Sequence, residues 1–348
     1  VDGRRLTARR IVIAAGSRAR VPDITGLAGL PYLTHANIFD LAERPGHLLI
    51  IGGGPIGVEM AAAHAGLGCK VTVVQSGRVA PKDDPELVAG LRQALVARGV
   101  SLFENAKTVA AEPGPALTLA DGTRIAGTHL LVATGRQPNL EGLGLEAGGI
   151  RATRLGIATD AGLRSLTNRR VYAIGDIADP AGIGPRYFTH VGSHHAGIVI
   201  RRALFHLPAR VDYAALPRVT YTDPELAQTG MTEAEARSAG WKVTVLRSPL
   251  AENDRAVTEG RTDGLVKLVV SKRGHLLGAG ILAPNAGEMI SLWSLAIARR
   301  LKLAAVAGLI VPYPTLSEAG KRAASSYFAA RLFAPGTRRL VRWLTRLP

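Results

Sequence analysis

The apolar positions of this chain gather into short, nearly unbroken runs separated by turns rich in glycine and proline. Ile11–Ala15, Leu48–Ile51, Val71–Val74, Leu130–Ala133 and Val171–Ile174 have this form. A continuous aliphatic run of four to eight residues suits a strand covered on both faces, as in a parallel sheet packed between helices. Between the second and third runs lies alanine-rich helical sequence ending near Gly68, so residues 47–75 read strand, glycine turn, helix, strand. Phe188-Thr189-His190-Val191 opens a further helix running through Arg202. Thr232-x-x-Glu235 and Thr315-x-x-Glu318 have the spacing of capping boxes, in which each side chain satisfies the other residue's backbone N–H. The pattern predicts an α/β fold. Residues 1–10 are polar and lead straight into the run at Ile11, which is expected to be a buried strand. That opening reads as the middle of a domain.

The glycine turn carries the first chemistry. Gly52-Gly53-Gly54-Pro55-Ile56-Gly57 places Gly52, Gly54 and Gly57 at the positions of a Gly-x-Gly-x-x-Gly dinucleotide fingerprint, between a strand and a helix. Gly52 is expected to allow the tight turn, Gly54 to let the backbone approach a pyrophosphate, and Gly57 to let helix and strand pack closely. The free N–H groups of the helix start and its dipole then favour the anion. The second strand closes on Gln75, where an acidic residue would grip a ribose 2′-hydroxyl, and Arg78 follows. Gln75 does not repel a 2′-phosphate and Arg78 can pair with one, a tilt toward NADP(H). A solvated loop arginine is the competing reading.

Composition narrows the classes. With 348 residues, 47% hydrophobic and 20% charged, the chain can build two or three cored domains, which excludes general disorder. Its formal charge of +16 would suit nucleic acid, an anionic membrane or a polyanionic cofactor. The arginines are scattered, only 5% of residues are aromatic, and no zinc-finger or RNA-recognition signature occurs, so no nucleic-acid partner is expected. The single cysteine, Cys69, cannot form a disulfide within one chain. No signal peptide and no apolar run of membrane-spanning length is found, and the expected location is cytoplasmic. His190 and His194 lie four apart, but no acidic residue or cysteine nearby completes a ligand set, so no metal is expected.

Several segments acquire a common meaning in order: Ile11–Ser17, Leu131–Asn139, Val171–Asp176, Leu216–Glu225 and Tyr313–Glu318. Together with the glycine turn they resemble the pyridine nucleotide–disulfide oxidoreductases, the family of dihydrolipoyl dehydrogenase, glutathione reductase and mercuric reductase. The resemblance implies a Rossmann-like NAD(P)-binding domain inserted in an incomplete FAD-binding domain, followed by an α+β dimerisation domain. The expected boundaries are 1–44 and 141–209 for the FAD-domain segments, 45–140 for the nucleotide domain, 210–335 for the dimer interface and 336–348 for a basic tail. The family's first flavin fingerprint and its Cys-x4-Cys disulfide would precede Val1.

The same resemblance implies an FAD-dependent NAD(P)H oxidoreductase acting as a homodimer on a small-molecule acceptor. The alternative is a non-catalytic NAD(P)-binding dimeric fragment. Gly16 and Gly135 are implied at strand-end turns of the cofactor sites. Asp176 ends an apolar strand, where it would accept hydrogen bonds from ribityl hydroxyls or cap a helix. Thr189 and His190 would open the helix whose N-terminus faces the flavin pyrimidine edge. Glu59 would face the flavin or complement the helix dipole. Pro55 stands where the family often has an aromatic residue. At the C-terminal signature the first position is Tyr313 rather than His, with Glu318 matching. A phenol titrating near ~10 cannot replace imidazole as a base at neutral pH, which argues against a disulfide substrate. Tyr at this point resembles mercuric reductases, whose C-terminal cysteine pair is missing from the sequence.

Leu340, Trp343, Leu344 and Leu347 share one side of the last predicted helix, with Arg338, Arg339, Arg342 and Arg346 opposite. Two readings remain there: weak contact with an anionic membrane surface through residues 338–347, and packing on the dimer partner.

Overall fold

A computed structural model describes residues 6–347; the polar opening Val1–Arg5 and Pro348 lie outside the described residues. The chain forms two compact units, one of Val1–Pro22 with Thr134–Tyr213, the other of Asp23–Ala133 with Ala214–Pro348.

In the larger unit, four parallel strands lie in the order Val100–Phe103, Lys70–Val74, His47–Ile51, His129–Val132. Leu48 to Ile50 are fully buried, as a strand covered on both faces requires. The helix Pro55–Gly66 joins the two central strands and completes the expected βαβ unit. The helix Pro85–Ala97 starts where the Asp84 carboxylate accepts the Glu86 N–H, and buries Leu87, Val88, Leu91 and Leu95. Each buried aliphatic side chain contributes about 1.5–3 kcal/mol. A three-stranded antiparallel ribbon follows over Thr108–Glu112, Ala116–Leu119 and Arg124–Ala126.

The rest of this unit is a five-stranded antiparallel sheet in the order Arg218–Thr220, Glu225–Gly230, Leu276–Ala283, Leu265–Ser271, Val243–Pro249. The helices Ala286–Ala298 and Ser317–Leu332 contribute Ile290, Trp293, Ala319 and Ala323 to the core beneath it. Leu226 and Leu282 of this sheet belong to the same apolar cluster as Leu48, Val58 and Leu87 of the parallel layer. An ionic cluster, buried at Lys267 and Asp84 and exposed at its edge, joins the two layers as well. Lys267 Nζ lies 2.9 Å from Asp84, 2.9 Å from Glu86 and 3.1 Å from Glu233, while Arg247 grips Glu86 through two bonds of 2.6 and 2.8 Å. The nucleotide layer and the C-terminal sheet therefore share one core.

The smaller unit pairs Ile11–Ile13 in parallel with Val171–Ala173, and Ser17–Ala19 antiparallel with Arg136–Pro138. It also holds the strands Ala152–Thr153, Gly156–Thr159 and Ala178–Pro180, and the helix Thr189–Ala203. Its core gathers Leu145, Ile157, Leu163, Tyr172, Ile177 and Ile198. One expectation fails here. Ile11 and Val12 are each 46% exposed, not buried, because among the described residues their strand pairs only with Val171–Ala173. The Thr232 capping box is present in full. At Thr315 only half forms: the Glu318 carboxylate accepts the Thr315 N–H at 3.4 Å, but the Thr315 hydroxyl turns away to the Pro312 carbonyl at 2.8 Å.

Candidate functional site

The glycine turn between His47–Ile51 and Pro55–Gly66 has three differently constrained positions. Gly52 sits at φ +113°, a region that side chains rarely adopt. A Cβ at Gly57 would lie 1.9 Å from the Gly52 carbonyl oxygen, so helix and turn touch through hydrogen alone. Gly54 differs: its φ of −76° and ψ of −179° suit any residue, and a Cβ there would meet nothing within 4 Å. Neither protein packing nor backbone conformation asks for glycine at that position. A side chain there would point into open space at the helix start. Gly54 is also the N-cap of the helix without a side-chain cap, and Pro55, exposed at the first helical position, has no N–H to satisfy. The half-buried Ile56 follows it, so the helix start is open to an anion. These residues fit a dinucleotide pyrophosphate.

Gln75 takes a role that local pattern does not show. Its Oε1 accepts the Gly53 N–H at 2.7 Å, so the side chain braces the glycine turn across the sheet. The loop after it is held by the Asn105 N–H on the Gly77 carbonyl, 2.8 Å, and by the Val79 N–H on Glu104, 2.8 Å, with Glu104 paired to Arg92 at 2.5 Å. Arg78 projects from this fixed loop and is exposed.

The smaller unit brings Gly16, Gly135 and Asp176 into one hydrogen-bonded cluster. Gly16 (φ +66°) and Gly135 (φ +127°) both turn through the left-handed half of backbone space. The Gly16 carbonyl accepts the Asn139 N–H at 3.1 Å, and the Gly135 carbonyl accepts the Arg20 N–H at 3.0 Å. One oxygen of Asp176 accepts the Ser17 hydroxyl at 2.6 Å and pairs with Arg136 at 3.2 Å. Arg136 Nε in turn donates to Ser17 Oγ at 2.7 Å. Asp176 is thus held by two partners on one oxygen. Burial first, then the Asp176 charge, raises the nearby Tyr187 phenol above its ordinary range.

Thr189 and His190 open the helix Thr189–Ala203 and are exposed, with no side-chain cap there; Phe188 stacks on His190 at 5.2 Å. The histidine that matters to the geometry is another one, His195, which is fully buried. Its Nδ1 accepts the Gly175 N–H at 3.0 Å, which assigns the ring proton to Nε2 for donation to the Tyr213 hydroxyl at 2.6 Å. Burial, reinforced by His194, pulls its pKa down to about 4; burial pushes the Tyr213 phenol up to about 12. His195 holds the residue before Asp176, and so ties the helix to the carboxylate turn. A signal exists in the sequence: Val191, His195, Ile198 and Val199 form one apolar stripe at i, i+4, i+7 and i+8.

In the larger unit Tyr313 is 71% exposed and its hydroxyl donates to Asp254 Oδ2 at 2.9 Å. That bond raises its pKa, so the phenol keeps its proton and acts as a donor. Asp254 and Glu318 line a cavity of about 220 Å³ with Asn253, Lys321, Arg322 and Ser325. Asn253 Nδ2 donates to the Thr315 carbonyl at 3.0 Å and fixes the rim. Glu59 is half-buried and accepts the Tyr221 N–H at 3.0 Å; burial raises its pKa against that bond. It thereby links the nucleotide helix to the C-terminal sheet. Among the described residues no group of three or more His, Cys, Asp or Glu side chains could hold a metal ion.

Comparison with known proteins gives the family. Residues 1–234 match the family description "Pyridine nucleotide-disulphide oxidoreductase", and residues 216–324 match its dimerisation domain. The chain belongs to the pyridine nucleotide-disulphide oxidoreductase family. It is 32% identical over 335 residues to a mercuric reductase of Lysinibacillus sphaericus, covering 94% of this chain and 60% of that protein. It is 36% identical over 328 residues to a dihydrolipoyl dehydrogenase of Geobacillus stearothermophilus, covering 91% and 68%. A solved structure of an HOCl-induced flavoprotein disulfide reductase from Escherichia coli superposes with a TM-score of 0.82 at 28% identity, over 91% of this chain and 73% of that one. The chain thus spans about three fifths of the mercuric reductase it matches. Membership in an oxidoreductase family of mixed α/β architecture is legible from the motifs. No helix among the described residues is long and apolar enough to cross a membrane.

Proposed function

We propose that this chain binds NAD(P)H and FAD and serves an oxidoreductase that passes hydride equivalents from the nicotinamide to a small-molecule acceptor, as a homodimer. The observation that carries the reading is the uncapped helix start behind the glycine turn, where Gly52 and Gly57 are fixed by backbone conformation and close packing and the Cβ direction of Gly54 is left open for a pyrophosphate. Gly52 to Gly57 would hold the pyrophosphate of the nicotinamide cofactor, and Arg78 would meet a 2′-phosphate, which favours NADPH. Ser17 and Arg136 orient Asp176, whose second oxygen would accept a ribityl hydroxyl, with Gly16 and Gly135 shaping the turns beside it. The helix at Thr189 and His190 would direct its dipole at the electron-accepting edge of the ring system. Flavin, when bound, supplies a two-electron acceptor for the hydride.

On the acceptor side, Tyr313 holds a proton on its hydroxyl by donating to Asp254, and Glu318 adds a second carboxylate to the same cavity. A phenol kept protonated donates to an acceptor and does not deprotonate a thiol, which favours an acceptor other than lipoamide or glutathione disulfide. Exposed apolar residues on the C-terminal domain, among them Leu295 and Ile310, are consistent with self-association. The test is an absorbance spectrum of the purified chain before and after FAD, then NADPH or NADH. A flavin band that bleaches with reductant is expected, with NADPH preferred and that preference lost in Arg78→Glu. Absence of any nucleotide binding would refute the reading; nucleotide binding without retained flavin would reduce it to its nicotinamide half.

A further inference from the structure

One element of the larger unit contributes nothing to a core: the helix Pro335–Leu344 has no buried residue. Leu340, Val341, Trp343, Leu344 and, in the turn beyond, Leu347 are each between 45% and 59% exposed. At 100° per residue Leu340, Trp343, Leu344 and Leu347 cover one sector of the helix, while Arg338, Arg339, Arg342 and Arg346 cover the opposite one. Trp343 stands at the border between them. Among the described residues none of these four arginines pairs with a carboxylate. From residue 319 to residue 348 the sequence contains no Asp or Glu at all.

We propose that this helix is a surface anchor for an anionic lipid membrane, lying in the interface with its leucines and Trp343 among the acyl chains and its arginines at the headgroups. The charge argues for this occupant over a second copy. Paired with its own copy, this helix would bring the same four arginines to the contact, with no Asp or Glu from residue 319 onward to offset them, so the two helices would repel. A lipid surface offers both halves of the complement, apolar depth and negative charge. Tryptophan at the boundary fits an interfacial position, with an apolar ring and a polar N–H. The helix is ten residues long, too short to span, so the proposal is adsorption. It does not depend on the redox reading.

The test is co-sedimentation of the full chain with vesicles of phosphatidylcholine alone and with a roughly three-to-one mixture of phosphatidylcholine and phosphatidylglycerol. Binding to the mixture is expected, with a blue-shifted emission that disappears in Trp343→Phe, and loss of binding as salt is raised. Replacing Arg338 and Arg342 by Gln should weaken partition on the order of five-fold per arginine. Leu340→Gln with Leu344→Gln should abolish it. Because the helix buries nothing, all these variants should melt at the wild-type temperature. Equal pelleting of wild type and the leucine variant would overturn the proposal. So would no pelleting with the anionic vesicles, equal pelleting with neutral ones, or a salt-resistant self-association that the leucine variant abolishes.

Discussion

Replacing Gly54 by alanine separates a ligand requirement from a folding requirement. The residue already has extended backbone angles, the conformation favoured before a proline, and a Cβ would meet nothing within 4 Å. Losing glycine at a helix N-cap costs a few tenths to about 1 kcal/mol, and the stiffer unfolded chain returns about 0.4–1 kcal/mol. Stability should therefore change by less than about 0.5 kcal/mol. Nucleotide affinity should not survive as well. A methyl group in the path of the pyrophosphate displaces at least one charge-assisted hydrogen bond, worth about 1.5–3 kcal/mol, so the dissociation constant should rise roughly 10- to 150-fold. Gly57→Ala is the contrasting case: its Cβ would lie 1.9 Å from the Gly52 carbonyl oxygen, and forcing helix from turn should cost about 1–3 kcal/mol or more before any ligand is added. Thermal melts and calorimetric titration with NADPH read both quantities. If Gly54→Ala binds NADPH as tightly as wild type, the pyrophosphate does not approach this turn, and the reasoning from the empty Cβ direction is wrong.

Lys267→Met should destabilise the larger unit by about 3–5 kcal/mol in urea unfolding, because it leaves Asp84 buried without its cation; a loss under about 1 kcal/mol would mean Arg247 carries the cluster alone. Glu86 in this cluster is pulled down to about 2, by Arg247 first and then Lys267, so the stability it contributes is complete above its usual 4.5 and drains away as pH falls from there toward 2. His195 titrates in the same sense for a different cause. Its folded pKa of about 4 lies below the ordinary 6.5, so the folded state binds fewer protons between the two values, and stability present above 6.5 is lost as pH falls toward 4. The stability lost should sum to about 3–4 kcal/mol at most and this pH dependence should vanish in His195→Gln, whose amide can still accept the Gly175 N–H; an unchanged pH dependence in that variant would assign the titration elsewhere.

Much of this protein is decided by residues close together in sequence. The βαβ unit at residues 47–75 is legible because glycine at three set positions, an aliphatic run on each side and an alanine-rich helix between them are local demands. Gly52 and Gly57, five residues apart, meet each other in the fold. The Thr232 capping box, closed within one turn, is equally local. What escapes the sequence is decided between distant segments. Gln75 reads locally as a residue facing the ribose, yet its amide braces Gly53, 22 positions away, across adjacent strands. His190 and His194 stand out by their spacing, whereas His195 faces the core and binds Gly175, because burial is a property of which helix face the sheet covers. Glu59 is engaged by the Tyr221 amide and Lys267 by three carboxylates, partners that only packing of the nucleotide layer on the C-terminal sheet brings within reach. Ile11 and Val12 show the converse: a hydrophobic run states that a strand can be buried, but the neighbours that cover it are supplied by the tertiary structure.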